Sequence, residues 1–305
     1  MKIAVITPVS HLPGILELLS TKGELFLLEQ GSKNEVRNLL VDSKIDTIVC
    51  NPNQQSFIID KDLLKESNVS IINSCSTGLN HIDMNYCKEN NITVQCHKND
   101  YKLIEQLPST AELAFGLMLS LVRKIPDSRD HVSRYNWDYT QFLGRQVKDL
   151  NVGIVGFGRL GRMMNKFCKA FDAKTFIYDP YVEVEQTSLE EMIKICDVIS
   201  LHVHVTPETV NLVNKKLLDL SQKDLYIINT SRGDIVNEVD IVSALYDGNL
   251  TGYGADVVRH EFGSLNKSPI IRAMNKGMNI IVTPHTGGMT IEGQTKAYEW
   301  SINKL

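Results

Sequence analysis

Gly153-Ile154-Val155-Gly156-Phe157-Gly158-Arg159-Leu160-Gly161 begins halfway along the chain and decides its fold. An apolar strand runs into a glycine turn, and the turn opens a helix. Asp179 follows at the end of the next apolar run, Thr175-Phe176-Ile177-Tyr178. Strand, glycine turn, helix, strand and terminal acid form the layout of a dinucleotide-binding βαβ unit. Gly156 permits the tight turn, Gly158 lets the backbone approach a pyrophosphate, and Gly161 lets the helix lie close to the sheet. The helix beginning near Leu160 offers its N–H groups and the positive end of its dipole, with Arg159 as a pyrophosphate neighbour. A carboxylate at Asp179 accepts hydrogen bonds from ribose hydroxyls and repels a 2′-phosphate. That favours NAD over NADP.

Working outward, residues 1–150 precede the turn and must include another domain. Short strand-like runs at Ile3-Thr7, Glu24-Leu28, Thr47-Cys50, Ile71-Ser74 and Thr93-Gln95 alternate with helical candidates at Leu12-Leu19, Lys33-Val41, Asp60-Lys65 and Asn80-Asn90. Such alternation implies a parallel sheet with helices on its faces, here a compact flavodoxin-like α/β domain. Ser109-Thr110-Ala111-Glu112 starts a helix that is apolar all round through Val122, expected to be buried against the domain junction. Beyond the glycine turn, strand and helix patterns alternate to Val282. They imply a doubly wound parallel sheet of Rossmann type, with the final residues forming one more helix.

The chain has 305 residues, enough for two domains, with 43% hydrophobic and 22% charged residues and a net charge of -4. Neither a basic block nor a run of 18 apolar residues occurs, so neither nucleic acid nor a membrane is expected as a partner. The N-terminal apolar run is too short for a signal peptide and reads as a buried strand. Six cysteines without a CxxC pair read as free, buried thiols of a cytoplasmic protein. Pro126 to Gly144 carries Tyr135, Trp137, Tyr139 and Phe142. This aromatic arm suggests a homodimer contact or an arm packed on its own subunit.

Polar residues recur at strand ends, where an open α/β sheet binds ligands. Thr230-Ser231-Arg232-Gly233 follows one apolar run, Asp256 ends another with Glu261 just beyond, and Thr283-Pro284-His285-Thr286-Gly287-Gly288 follows a third. Interconverting a hydroxyl and a carbonyl by hydride transfer also moves a proton, and His285 suits that role. Glu261 would orient its ring. Arg232 offers a planar fork for a carboxylate. The alternatives are an Arg232–Asp256 ion pair, a solvated Glu261 and a structural His285. His202 and His204, spaced to share one strand face, are rival catalytic or metal candidates, but no cysteine or acid cluster completes a metal site.

Together these runs resemble the D-isomer-specific 2-hydroxyacid dehydrogenase family. The resemblance adds Ser76-Thr77-Gly78-Leu79-Asn80-His81-Ile82-Asp83 and Leu201-His202-Val203-His204-Val205-Thr206-Pro207-Glu208-Thr209. It implies that Arg232 binds the substrate carboxylate, that His285 is the acid/base, that Glu261 pairs with it, and that Asp256 contacts the nicotinamide carboxamide. It implies substrate contacts at Thr77 and Gly78. The expected cofactor contacts are Thr110, Gly156, Gly158, Arg159, Leu160, Gly161, Asp179, His202, Thr230, Asp256 and Gly288. The implied domains are 1–100 for substrate, 101–286 for NAD, and 287–305 returning to the first. A homodimer through the cofactor domain and the arm is implied as well.

The chain departs from the family pattern at His204, where proline is usual, and at Phe262, where proline is common. Lys98 to Lys102 are extra residues, expected to overhang the substrate cleft. Where phosphoglycerate dehydrogenases carry basic residues, this chain has Asn51-Pro52-Asn53-Gln54-Gln55, a poor match for a phosphate dianion. The expectation is an NAD-dependent enzyme for a small 2-hydroxy or 2-keto acid. D-3-phosphoglycerate dehydrogenase and a non-catalytic NAD(H)-sensing scaffold are the alternatives.

Overall fold

A computed structural model describes residues 1–52, 57–222, 224–261 and 264–305. Asn53, Gln54, Gln55 and Phe262, on which the sequence reading drew, lie outside the described residues. The chain forms two compact units, Met1–Leu107 with Gly288–Leu305, and Pro108–Gly287.

The first unit is built on five parallel strands: β1 Lys2–Val5, β2 Glu24–Leu27, β3 Thr47–Cys50, β4 Ile71–Ser74 and β5 Thr93–Gln95. Their order is β2-β1-β3-β4-β5, the flavodoxin-like order. Strands β3 and β4 are almost wholly buried, as continuous apolar runs in a parallel sheet require. Two helices start later than their sequence patterns suggest. One runs Ile15–Ser20, because Pro13-Gly14 precedes it and Gly14 adopts φ 76. The other runs Met84–Glu89, because the Asp83 side chain caps it at Tyr86 N, while Ile82 bridges to Ile59.

The C-terminal helix Ile291–Ile302 packs Tyr298 and Ile302 among Ile3, Val5, Ile15 and Leu19. Buried polar groups fix its register. Asn73 Nδ2 donates to Ser301 O at 2.9 Å and Ser301 Oγ donates to Asn73 Oδ1 at 2.7 Å. Residues 101–107, which the sequence reading put in the cofactor domain, stay with this unit. Leu103 is buried, and Asp100 binds both His97 Nδ1 and Lys304 Nζ. The extra residues Lys98 to Lys102 run into a short helix, Tyr101–Ile104.

The second unit holds six parallel strands: β6 Asn151–Val155, β7 Lys174–Tyr178, β8 Val198–Leu201, β9 Tyr226–Asn229, β10 Gly252–Ala255 and β11 Ile280–Val282. The order is β11-β10-β9-β8-β6-β7. The strand sequence reverses at β6, with β7 on one side and β8 on the other, so the glycine turn leaves the sheet at a topological switch point. The helix Ser109–Val122 is buried within this unit, where Met118 and Leu121 pack with Ile154, Met164 and Ile228. Full burial of each such side chain contributes about 1.5–3 kcal/mol. Helix Leu189–Ile195 starts at its Ser188 cap, and Gly248, at φ 79, ends helix Glu238–Asp247. Both follow the sequence signals.

All six cysteines are free, and all but Cys96 are buried. Burial pushes the Cys75 and Cys168 thiols up to about 12. They stay protonated and unreactive. Among the described residues, no helix is long and apolar enough to cross a membrane.

Candidate active site

At the switch point the backbone is crowded on one side and open on the other. Gly156 has φ 89, and a Cβ there would stand 2.5 Å from His202 O. A Cβ at Gly161 would stand 2.0 Å from Gly156 O, whereas one at Gly158 would meet nothing within 4 Å. The first and third glycines therefore serve the fold, and the second leaves room for a ligand. Helix Arg159–Ala170 follows, with no side chain capping its N-terminus. Burial lowers the pKa of Arg159 from its ordinary value. An anion beside it would offset that desolvation.

Asp179 leaves β7 and ties down the glycine turn. Its Oδ2 accepts from Phe157 N at 2.7 Å and its Oδ1 from Tyr181 N at 2.9 Å. Gln186 fixes the same acid from outside, accepting from Asp179 N at 2.9 Å and donating to Val182 O at 2.8 Å. Gln186 carries no signal in the sequence. Its partners lie across a loop without periodicity, so no local pattern marks it.

Strand β8 ends at Leu201, before the histidine pair, so strand alternation does not place His202 and His204 on one face. His204 is exposed, while His202 Nε2 meets Ser200 Oγ at 2.9 Å. Burial pushes His202 down to about 4, which leaves it neutral near pH 7 and unsuited to donating a proton there. Its Nδ1 is buried with no hydrogen-bond partner among the described residues, and so is Thr230 Oγ1 at the end of the neighbouring β9. Such groups are costly unless a ligand satisfies them. Two orphaned polar atoms, an uncapped helix start and the open face of Gly158 fit a dinucleotide. Among the described residues, no group of three or more His, Cys, Asp or Glu is placed to hold a metal ion.

The second cluster stands at the ends of β9, β10 and β11. Asn229 locks the first turn, accepting from Ser231 N and donating to Arg232 O, both at 3.0 Å. Ser231 Oγ donates to Leu201 O at 2.8 Å. Arg232 Nη1 donates to Ser231 O at 2.6 Å, and no acid among the described residues forms an ion pair with it. Asp256, 2% exposed, does not pair with Arg232. Its Oδ1 accepts from Thr283 Oγ1 at 2.5 Å and Thr286 N at 2.8 Å, and its Oδ2 accepts from Gly287 N at 2.7 Å. This carboxylate shapes the turn that carries His285. A Cβ at Gly287 would stand 3.1 Å from Thr110 Cγ2, so Thr110 borders the same turn.

His285 itself has φ 54, the left-handed region, uncommon for a non-glycine residue and typical of sites held by their surroundings. Its backbone N donates to Asp256 O at 3.0 Å. Its Nδ1 donates to Glu261 Oε2 at 2.6 Å, with the two side chains 26% and 18% exposed. Glu261 is therefore not a free solvated acid.

Thr77 and Gly78 belong to the first unit, in the loop after β4, where Ser76 Oγ donates to Gly78 O at 2.8 Å. Gly288 begins the returning segment of that unit. Asn51, first of the neutral residues that stand where phosphoglycerate dehydrogenases carry basic ones, is buried and donates to Cys75 O at 3.3 Å. Its amide is engaged in holding β3 to the loop after β4.

Residues 115–287 match the model of the D-isomer specific 2-hydroxyacid dehydrogenase NAD binding domain. The D-3-phosphoglycerate dehydrogenase of Rattus norvegicus is 30% identical over 239 residues, which are 76% of this chain and 43% of that protein. The chain thus spans less than half the length of this relative. Among solved structures, D-lactate dehydrogenase from Aquifex aeolicus, complexed with NAD and lactic acid, is 26% identical with a TM-score of 0.79, covering 100% of this chain and 94% of that one. The NAD-dependent formate dehydrogenase from Staphylococcus aureus, in complex with NAD, is 25% identical with a TM-score of 0.80 over 100% and 94% of the two chains. The family match covers more than half of the sequence and coincides with the unit built around the glycine turn: the chain belongs to the D-isomer-specific 2-hydroxyacid dehydrogenase family.

Proposed function

We propose that the protein is an NAD-dependent oxidoreductase interconverting a small D-2-hydroxy acid and its 2-keto acid. The observation that carries this reading is the 2.6 Å contact between His285 Nδ1 and Glu261 Oε2. A carboxylate on one ring nitrogen fixes the tautomer and leaves the other nitrogen to exchange a proton with substrate. A nicotinamide cofactor held at the glycine turn would supply the hydride as NADH or accept it as NAD+. Arg232, free of an acidic partner among the described residues, anchors the substrate carboxylate and polarises the adjacent carbonyl. In reduction, His285 donates the proton to the nascent alkoxide; in oxidation it takes that proton back.

Thr110, Gly156, Gly158, Arg159, Leu160, Gly161, Asp179, His202, Thr230, Asp256 and Gly288 are the proposed cofactor contacts. Thr77 and Gly78 are the proposed substrate contacts. Asp179 favours NAD by opposing a 2′-phosphate. Tyr135, Trp137 and Tyr139 are almost fully exposed, whereas Phe142 packs against His131. Three bare aromatics on one arm fit burial against a second copy of the chain.

The identity to D-3-phosphoglycerate dehydrogenase favours a second reading, a phosphorylated substrate. One assay separates the two. NADH oxidation at ~340 nm is followed with glyoxylate, hydroxypyruvate, pyruvate, larger keto acids and 3-phosphohydroxypyruvate. Turnover of unphosphorylated acids supports the proposal, and a strong preference for the phosphorylated one replaces it. Tight NADH binding without any turnover points to a substrate outside this panel or to a sensing scaffold.

A further inference from the structure

The buried acids among the described residues are Asp197, Asp256 and Glu238. Asp197 pairs with Arg145 and accepts from Asn151 N. Asp256 shapes the His285 turn. Glu238 has no part in the chemistry described above, yet it is only 3% exposed. It opens helix Glu238–Asp247, but Asn237 already caps that helix by accepting from Val239 N and Asp240 N. The Glu238 carboxylate turns elsewhere. Its Oε1 accepts from Arg259 N at 2.8 Å, and its Oε2 accepts from Ser268 Oγ at 2.9 Å.

Arg259 stands just ahead of Glu261. Its side chain is fastened to the same region as its backbone. Nη2 donates to Val236 O at 2.9 Å and to Asp234 O at 3.2 Å, and Nε donates to Val236 O at 3.2 Å. The turn holding Arg232 presses on this backbone too. A Cβ at Gly233 would stand 2.3 Å from Val258 C and 2.4 Å from Arg259 N. Residues 232–238 therefore grip the stretch that leads from β10 to Glu261, and Glu238 is the only acid in the grip that is buried.

We propose that Glu238 is a positioning residue for Glu261: by fixing the backbone at Arg259 it holds the Glu261 carboxylate against His285 Nδ1. The proposal rests on the reading of His285 as the acid-base group, and it assigns a residue remote from substrate to that pair. Both oxygens of Glu238 face donors, so an apolar side chain of similar length leaves Arg259 N unsatisfied. A glutamine can still accept from Arg259 N while donating to the Ser268 hydroxyl, because a hydroxyl both accepts and donates.

The test compares Glu238→Met, Glu238→Gln, Glu261→Gln and the Glu238→Met/Glu261→Gln pair. Glu238→Met should lower kcat about tenfold, a fraction of the 10²–10⁴ typical of a positioned acid or base. Its NADH Kd should stay within about twofold, because the dinucleotide contacts are untouched. Its kcat/KM profile against pH should move in the direction seen with Glu261→Gln. The double variant should be no slower than Glu261→Gln alone, as residues acting through one contact are non-additive. Glu238→Gln should restore wild-type kcat to within about threefold.

An unmoved pH profile in Glu238→Met, or multiplicative losses in the double variant, would overturn the proposal. If Glu238→Met does not fold, Ser268→Ala removes one of the two anchors and is read the same way, a wild-type profile counting against the idea. The downfield NMR resonance of the His285 Nδ1 proton separates this from the assigned activity. It should be present in wild type and Glu238→Gln and weakened in Glu238→Met, whether or not any keto acid is turned over. Its persistence in Glu238→Met overturns the positioning role alone.

Discussion

Asp256→Asn isolates what a single buried carboxylate does for the His285 turn. In the native chain its Oδ1 takes Thr283 Oγ1, Thr286 N and Thr286 Oγ1, and its Oδ2 takes Gly287 N at 2.7 Å. The asparagine amide has one oxygen. Placing it at Oδ1 keeps three donors satisfied and sets an NH₂ group against the buried Gly287 N–H. The opposite orientation loses three bonds, so the first prevails. An unpaired buried N–H costs about 1–3 kcal/mol, and weakening charge-assisted bonds to neutral ones adds about 1 kcal/mol. The expected destabilisation is about 2–4 kcal/mol.

Urea unfolding followed by circular dichroism measures it, with the exposed Asp149→Asn as a reference within ~0.5 kcal/mol of wild type. Hydrogen exchange at the Gly287 amide supplies a local reading, where each 1.4 kcal/mol of lost protection is about tenfold in rate. A loss below ~0.5 kcal/mol with unchanged Gly287 exchange would refute the idea that Asp256 supports the turn.

Other outcomes are equally direct. His285→Gln should lower kcat by about 10²–10⁴ with NADH affinity retained, measured by steady-state kinetics and fluorescence titration; undiminished turnover removes His285 from the chemistry. Gly158→Ala should leave thermal stability unchanged while weakening NADH binding, since its Cβ meets nothing in the free chain. Gly161→Ala should lower stability too, because its Cβ would lie 2.0 Å from Gly156 O. Equal stability effects would contradict that division of labour.

Acid should destabilise the protein through His81 and His202, both pushed by burial from 6.5 to about 4. In that window the unfolded chain binds more protons than the folded one, so stability is full above about 6.5 and falls as pH drops toward 4. His81→Asn should lose less than wild type between pH 7.5 and 5 in urea midpoints, and an identical loss would exclude His81 as a source.

The doubly wound sheet and the glycine turn were legible because their signals are local. A strand's burial, a helix cap and a tight turn each depend on residues within a few positions, so Gly156, Ser188 and Gly248 announce themselves. Arg232, Glu261 and His285 stand out in sequence as candidates because strand ends in such a sheet collect ligands, and the contact of Glu261 with His285 is what the structure adds. Tertiary structure alone settled how these groups are held. Nothing near Glu238 in sequence says that its carboxylate meets Arg259 and Ser268, nor does anything near Gln186 mark it as the brace of Asp179. The same holds for His202, whose neutrality follows from desolvation in the folded chain rather than from its own motif. Hydrogen bonds and desolvation act through space, and only the folded chain brings those partners within reach.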